Sequence, residues 1–127
     1  MLSIAGRWGL RIEGSGTWLA TDAELAGTSA ARRRGLAGRE SMAPGGALVI
    51  APTQGIHTFG MRFALDLVAV ARDGRVVRVA AGIRPRRVVF AWRAFAMVEL
   101  PAGAAALAGV RPGDRLTAYE SERMVSR

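Results

Sequence analysis

The chain contains no cysteine, no lysine and no asparagine, and it carries one histidine, His57. Without cysteine, a disulfide scaffold, a thiolate nucleophile, an iron–sulfur cluster and a Cys-ligated zinc site are all excluded. A lone histidine excludes His-cluster metal sites and makes His57 the one side chain that titrates near neutrality without special help. No window approaches the ~18 apolar residues that a membrane-spanning helix requires. The opening segment MLSIAGRWGLRIEGSG has neither the apolar run nor the small-residue cleavage site of a secretory leader. The expectation is a soluble, cytoplasmic protein with no membrane partner and, in the absence of any metal or nucleotide motif, no cofactor.

What is present fits a mainly β domain. Half of the 127 residues are hydrophobic and Gly is abundant at 16, a composition able to bury a core. A single domain over residues 1–120 with a frayed tail over 121–127 is expected. All 18 basic residues are Arg against 10 acids, for a net charge of +8. The all-Arg usage fits either planar, bidentate anion recognition or a coding sequence rich in G and C. Residues 72–93 hold Arg72, Arg75, Arg78, Arg84, Arg86, Arg87 and Arg93 against Asp73 alone. Arg32, Arg33, Arg34 and Arg39 form a second cluster beside Glu40. Such runs form solvated faces or meet phosphates and acidic partners.

Gly and Pro punctuate short apolar segments. Residues 8–13 and 17–20 are expected as strands joined through Gly14-Ser15-Gly16, with Thr21-Asp22-Ala23-Glu24 offering a helical capping box as an alternative. Thr28 or Ser29 can cap a short helix over 30–34 that ends at Gly35. Residues 47–51 follow as a buried strand ended by Pro52. From 57 to 67, apolar side chains and His57 occupy the odd positions, the period of a half-buried strand. Asp73-Gly74 predicts a two-residue hairpin that sets Val68 opposite Val79 and Val70 opposite Val77. Residues 90–100 predict another strand, Pro101 the start of a helix over 102–108 ended by Gly109, and Arg111-Pro112-Gly113-Asp114 a type II turn before a last strand over 115–119. The pattern indicates an antiparallel β sandwich or barrel, jelly-roll-like, with one or two short helices.

The segments RRRGLAGRE, IHTFGMRFALDLVAVARDGRVVRV and VELPAGAAALAGVRPGDRL resemble domain-of-unknown-function family 192. The resemblance covers residues 17–119 and rests most on Met61-Arg62, Asp66, Asp73-Gly74, the block from Glu99 to Gly103, and Gly113-Asp114. It implies a mainly antiparallel β fold of sandwich or jelly-roll type and no established activity. Ala37 stands where the family usually has Met, and Ala64 where it usually has Pro. The second change relaxes the kink expected between Phe63 and Leu65.

The candidate ligand-binding residues are His57, Thr58, Arg62 and Asp66. His57 has the ionisation of a general base, yet no nucleophile stands beside it in a recognised motif, and a hydrogen-bonded rim histidine accounts for it as well. On one continuous strand His57 and Asp66 point to opposite faces; Arg62 and Asp66 share a face about 13 Å apart. Glu99, between Val98 and Leu100, can anchor an arginine, and a catalytic carboxylate there would need a partner that the sequence does not place. Arg84, Arg86, Arg87 and Arg93 form a candidate anion or nucleic-acid patch, interleaved with Phe90 and Trp92; the alternative is that these two aromatics share a core-facing side. The expected function is a non-enzymatic binding or accessory module for a small polar or anionic ligand or a partner protein, with nucleic-acid binding through 72–93 as the alternative and hydrolysis through His57 third.

Overall fold

Short apolar segments separated by glycine turns build nine strands and two helices among residues 8–120, which the computed structural model describes. In chain order these are β1 (Trp8–Ile12), β2 (Trp18–Ala26), α1 (Ser29–Arg34), β3 (Gly46–Ile50), β4 (Gly55–His57), β5 (Leu65–Val70), β6 (Val76–Ile83), β7 (Val88–Phe90), β8 (Ala96–Pro101), α2 (Ala104–Ala108) and β9 (Leu116–Glu120). Seven strands form one sheet in the order β6-β5-β8-β3-β2-β1-β9, and β4 pairs with β7 in a separate ribbon. The mainly β class with two short helices is as expected; within the sheet β2 and β3 run parallel and the other neighbours antiparallel.

The sheet curls until its two outer strands meet at one end. There Leu116 donates to the Gly74 carbonyl at 2.9 Å and Val76 to the Asp114 carbonyl at 2.7 Å, beside an Arg75–Arg115 bridge. The result is a half-barrel. Its core lies on both faces of the central strands: Leu10, Val68, Val98 and Leu100 pack on the side that α2 covers, while Leu48, Leu67, Met97 and Leu36 pack on the other. Every residue of β5 is buried, which is why its sequence loses the alternation of a half-exposed strand. No helix among the described residues is long and apolar enough to cross a membrane.

Local signals account for most ends of elements. Thr28 caps α1 by accepting from Ala31 N at 3.0 Å, and Gly35 closes it at φ 53. Gly109 ends α2 in the left-handed conformation. Asp114 Oδ2 accepts from Arg111 N across the Pro112-Gly113 turn at 2.8 Å.

Several expectations are corrected. The span 57–67 is two strands, because the chain turns at 58–61, where Met61 N reaches the Thr58 carbonyl and Gly60 takes φ 81. The span 90–100 is likewise broken between β7 and β8 by a turn in which Ala94 N donates to the Ala91 carbonyl, and Phe90 and Trp92 are exposed rather than facing the core. The capping box at 21–24 starts no helix, since β2 runs on to Ala26. Pro101 ends β8 instead of opening α2, which begins after Gly103. At the hairpin, Gly74 alone has positive φ; Gly74 N donates to the Ala71 carbonyl and Ala71 N to that of Arg75. Asp73 keeps negative φ while its carboxylate accepts from Arg75 N at 3.0 Å. The extra loop residue leaves Val68 opposite Val79 but slips Val70 to Val76.

One buried acid ties these parts together. Asp66, on β5, is fully buried. Its Oδ1 accepts from Gly82 N on β6 at 2.9 Å, and its Oδ2 accepts from Gly103 N and Ala105 N at the start of α2, both at 3.0 Å. Charge-assisted bonds to backbone donors are among the stronger polar contacts in a protein. Asp66→Ala strands those donors and is expected to cost about 3 kcal/mol, measured by urea denaturation; a loss below about 0.5 kcal/mol would show that the three bonds contribute nothing net.

Candidate functional site

The short helix α1 carries its charge at one end. Arg32, Arg33 and Arg34 fill its last turn, where cations complement the helix dipole, and Gly35 then turns the chain sharply inward. Facing this turn across a cavity of about 460 Å³ are Pro52 and Thr53, which follow β3, and Gly55, Ile56 and His57 of β4. Glu99, projecting from the middle of β8, reaches the cavity from below.

Glu99 is the residue on which the site turns. The β8 register sets it between Leu48 and Leu67 on the neighbouring strands, so it occupies a core position and is only 1 % exposed. Its Oε1 has no hydrogen-bond partner among the described residues. Burial raises its pKa from 4.5 to about 7, with the positive charge of Arg39 opposing part of that rise. Arg39 itself holds Glu24 through two bonds of 3.1 and 3.3 Å. Gly35 lets α1 end directly above this carboxyl: a Cβ there would lie 3.6 Å from Oε1 and 3.8 Å from Oε2, on a backbone of φ 53 that side chains rarely adopt. A buried carboxyl and three arginines lining the same cavity can hold a ligand that has an acidic group at one end and a hydrogen-bonding group at the other.

His57 stands at the rim, exposed, with Nδ1 accepting from Phe59 N at 3.2 Å. That bond leaves Nε2 as the protonated nitrogen of the neutral ring. The cavity hydroxyls are engaged elsewhere: Thr53 Oγ1 donates to the Gly55 carbonyl at 2.8 Å, and Ser29 Oγ accepts from Arg32 at 3.2 Å. Neither hydroxyl bonds to His57 or Glu99.

The other residues singled out from the sequence are dispersed. Thr58 is buried; its Oγ1 donates to the Arg84 carbonyl at 2.6 Å and accepts from Arg87 N at 2.8 Å, pinning the β6–β7 turn. Arg62 lies in the β4–β5 loop and pairs with Glu40 at 2.8 Å on the surface. All the bonds of Asp66 described above go to backbone N–H groups. Arg84, Arg86 and Arg87 sit in the β6–β7 turn, whereas Arg93 lies past the other end of β7, lining a separate cleft with Arg72 and Arg75. Of the four ligand-binding candidates, the cavity therefore includes His57 alone. It draws instead on Glu99 and on the 32–34 cluster, and the signal for Glu99 was a single carboxylate in the apolar run AMVELP.

Because folded Glu99 holds its proton up to about pH 7 while the unfolded chain releases it near 4.5, stability should fall as pH rises between those values and level off above them. Glu99→Gln removes the titration. It is expected to match the parent near pH 4 and to exceed it by about 3 kcal/mol at pH 8 in urea denaturation. A difference that does not vary with pH would assign the ionisation elsewhere.

Two solved structures share this fold. A protein of unknown function from Novosphingobium aromaticivorans DSM 12444 superposes with a TM-score of 0.75 at 26% identity, covering 87% of this chain and 83% of its own. A protein from Sinorhizobium meliloti 1021, named as a candidate transcription regulator, superposes with a TM-score of 0.77 at 26% identity, covering 89% of this chain and 92% of its own. No curated protein matches. Residues 10–118 match domain-of-unknown-function family 192 (DUF192), described as an uncharacterized ACR, and the chain belongs to that family.

Proposed function

We propose that the protein is a binding module for a small organic anion that also carries a hydroxyl or amino group, held in the cavity between α1 and β4. The observation that supports this reading is the buried carboxyl of Glu99, whose Oε1 has no hydrogen-bond partner among the described residues. A buried polar atom left unbonded is costly, and a ligand hydroxyl or ammonium group would satisfy it. The acidic end of such a ligand would meet Arg32, Arg33 and Arg34, which line the same cavity and favour planar oxyanions.

Binding without turnover fits the chemistry better than hydrolysis. A nucleophile needs a hydroxyl activated by an adjacent base, and both Ser29 and Thr53 are bonded away from His57 and Glu99. His57 then serves as a rim donor through Nε2. Protonated Glu99 can donate as well as accept, so the cavity would take ligands of either hydrogen-bonding sense near neutral pH.

Thermal-shift measurements with citrate beside tricarballylate, and malate beside succinate, separate the two halves of the site, because each pair differs by one hydroxyl. The hydroxylated member is expected to raise Tm more. Glu99→Leu, which removes the hydrogen-bonding group, should cut that preference about tenfold in Kd, the size of one hydrogen bond, while Arg33→Ala should weaken both members of each pair. Shifts that are absent for all four anions, or that survive both substitutions, contradict the reading.

A further inference from the structure

The second surface that the fold leaves unexplained is the outward face of the β4–β7 ribbon, and it is independent of the cavity proposal. Along β7 the chain alternates: Val88 and Phe90 are 72 and 55 % exposed while Val89 between them is buried. The alternation continues past the strand, through buried Ala91 to Trp92 at 75 % exposure. Ala91 N still donates to the Gln54 carbonyl, and Gln54 Nε2 donates to the Trp92 carbonyl at 2.6 Å, so the backbone that presents Trp92 is fixed.

Across the ribbon, Gly55 pairs with Phe90, and the phenyl ring lies over it: a Cβ on Gly55 would sit 3.2 Å from the ring. At the other end His57 pairs with Val88, and its ring lies 5.9 Å from that of exposed Phe59. A row of solvent-facing rings on a strand is unusual in a monomer, where large side chains of this kind are drawn inside. The charge around it has one sign. Residues 74–98 contain six arginines and no acid. Arg86 and Arg87 stand immediately before β7 and Arg93 immediately after Trp92. The β6–β7 turn is built to hold its arginines outward: Arg86 takes φ 65, a conformation side chains resist, and is kept there by Arg86 N donating to the Thr58 carbonyl and Arg87 N to Thr58 Oγ1.

We propose that this face binds single-stranded nucleic acid, with successive bases stacked on Phe90 and Trp92 and the backbone phosphates against Arg86 and Arg87. Phe90 ends β7 and Trp92 stands two residues on, in the turn that Ala94 N closes onto the Ala91 carbonyl, so each exposed ring is offered to a separate base. Arginines flanking exposed rings are the recurring arrangement of sequence-tolerant single-strand binding. An acidic peptide would meet the same charge but leave the rings without a π-face to stack on. A duplex would offer phosphates and keep its bases enclosed.

Fluorescence anisotropy of labelled decathymidylate, and of the corresponding ten-pair duplex, across a salt series tests this with the intact chain. The single strand should bind at least tenfold more tightly than the duplex, with log K falling linearly as log salt rises. Trp92→Ala, at a site too exposed to affect folding, should weaken single-strand binding by roughly five- to hundredfold, the range for loss of one stacked base, and leave the salt slope unchanged. Arg86→Ala should reduce that slope by about 0.7. Absence of binding at low salt, equal affinity for the duplex, an unaltered Kd in Trp92→Ala, or equal displacement by polyglutamate would each overturn the proposal.

Discussion

The carboxylate of Asp66 is the constraint around which the half-barrel is arranged. From near the start of the fully buried strand β5 it accepts hydrogen bonds from β6 on one side and from the start of α2 on the other. The chain that reaches α2 arrives along β8, so fixing Gly103 also fixes where β8 ends. The pairing of Asp66 with Leu100 and of Leu67 with Glu99 follows from the same anchor. A slip by one residue in β8 would turn Glu99 to the opposite face. The position of the cavity floor is thus a consequence of an acid that never touches the cavity.

The two buried acids show opposite solutions to one physical problem. Burying a carboxylate is expensive unless hydrogen bonds replace its lost water. Asp66 receives three backbone donors. Glu99 has an Oε1 with none and responds by holding its proton to about pH 7. The fold keeps Glu99 in this state by ending α1 at a glycine directly above it and by placing the nearest strongly felt cation, Arg39, in a pair with Glu24. Such an arrangement lowers stability at neutral pH, and costs of this kind are commonly found where a protein meets a ligand.

Much of the framework was legible in the residues. The Thr28 cap, the stops at Gly35 and Gly109, the buried strand before Pro52 and the Pro112-Gly113 turn depend on a few adjacent residues, and local chemistry decides them. The family resemblance was legible too, since its motifs fall on those turns and on Asp66. What failed was continuity. The alternation through 57–67 and the apolar run over 90–100 each conceal a turn, and both turns are held by backbone bonds to partners that periodicity does not reveal. The site was hidden for a related reason. Thr58 and Asp66 are polar residues on strand-like segments, which from sequence look the same whether they face a ligand or a distant backbone N–H. Glu99 lay in plain view, but its meaning depends on helix residues more than sixty positions earlier that only the fold brings above it.

The proposed site depends on Glu99 being buried, without a partner for Oε1 among the described residues, and open to a cavity. Its side-chain carboxyl carbon can be followed directly by NMR as pH is varied in the folded protein, with the resonance assigned by its loss in Glu99→Gln. The structure predicts a midpoint of about 7. A midpoint near the ordinary value of 4.5 would mean that water or an internal partner already serves this carboxyl, and would contradict the site described.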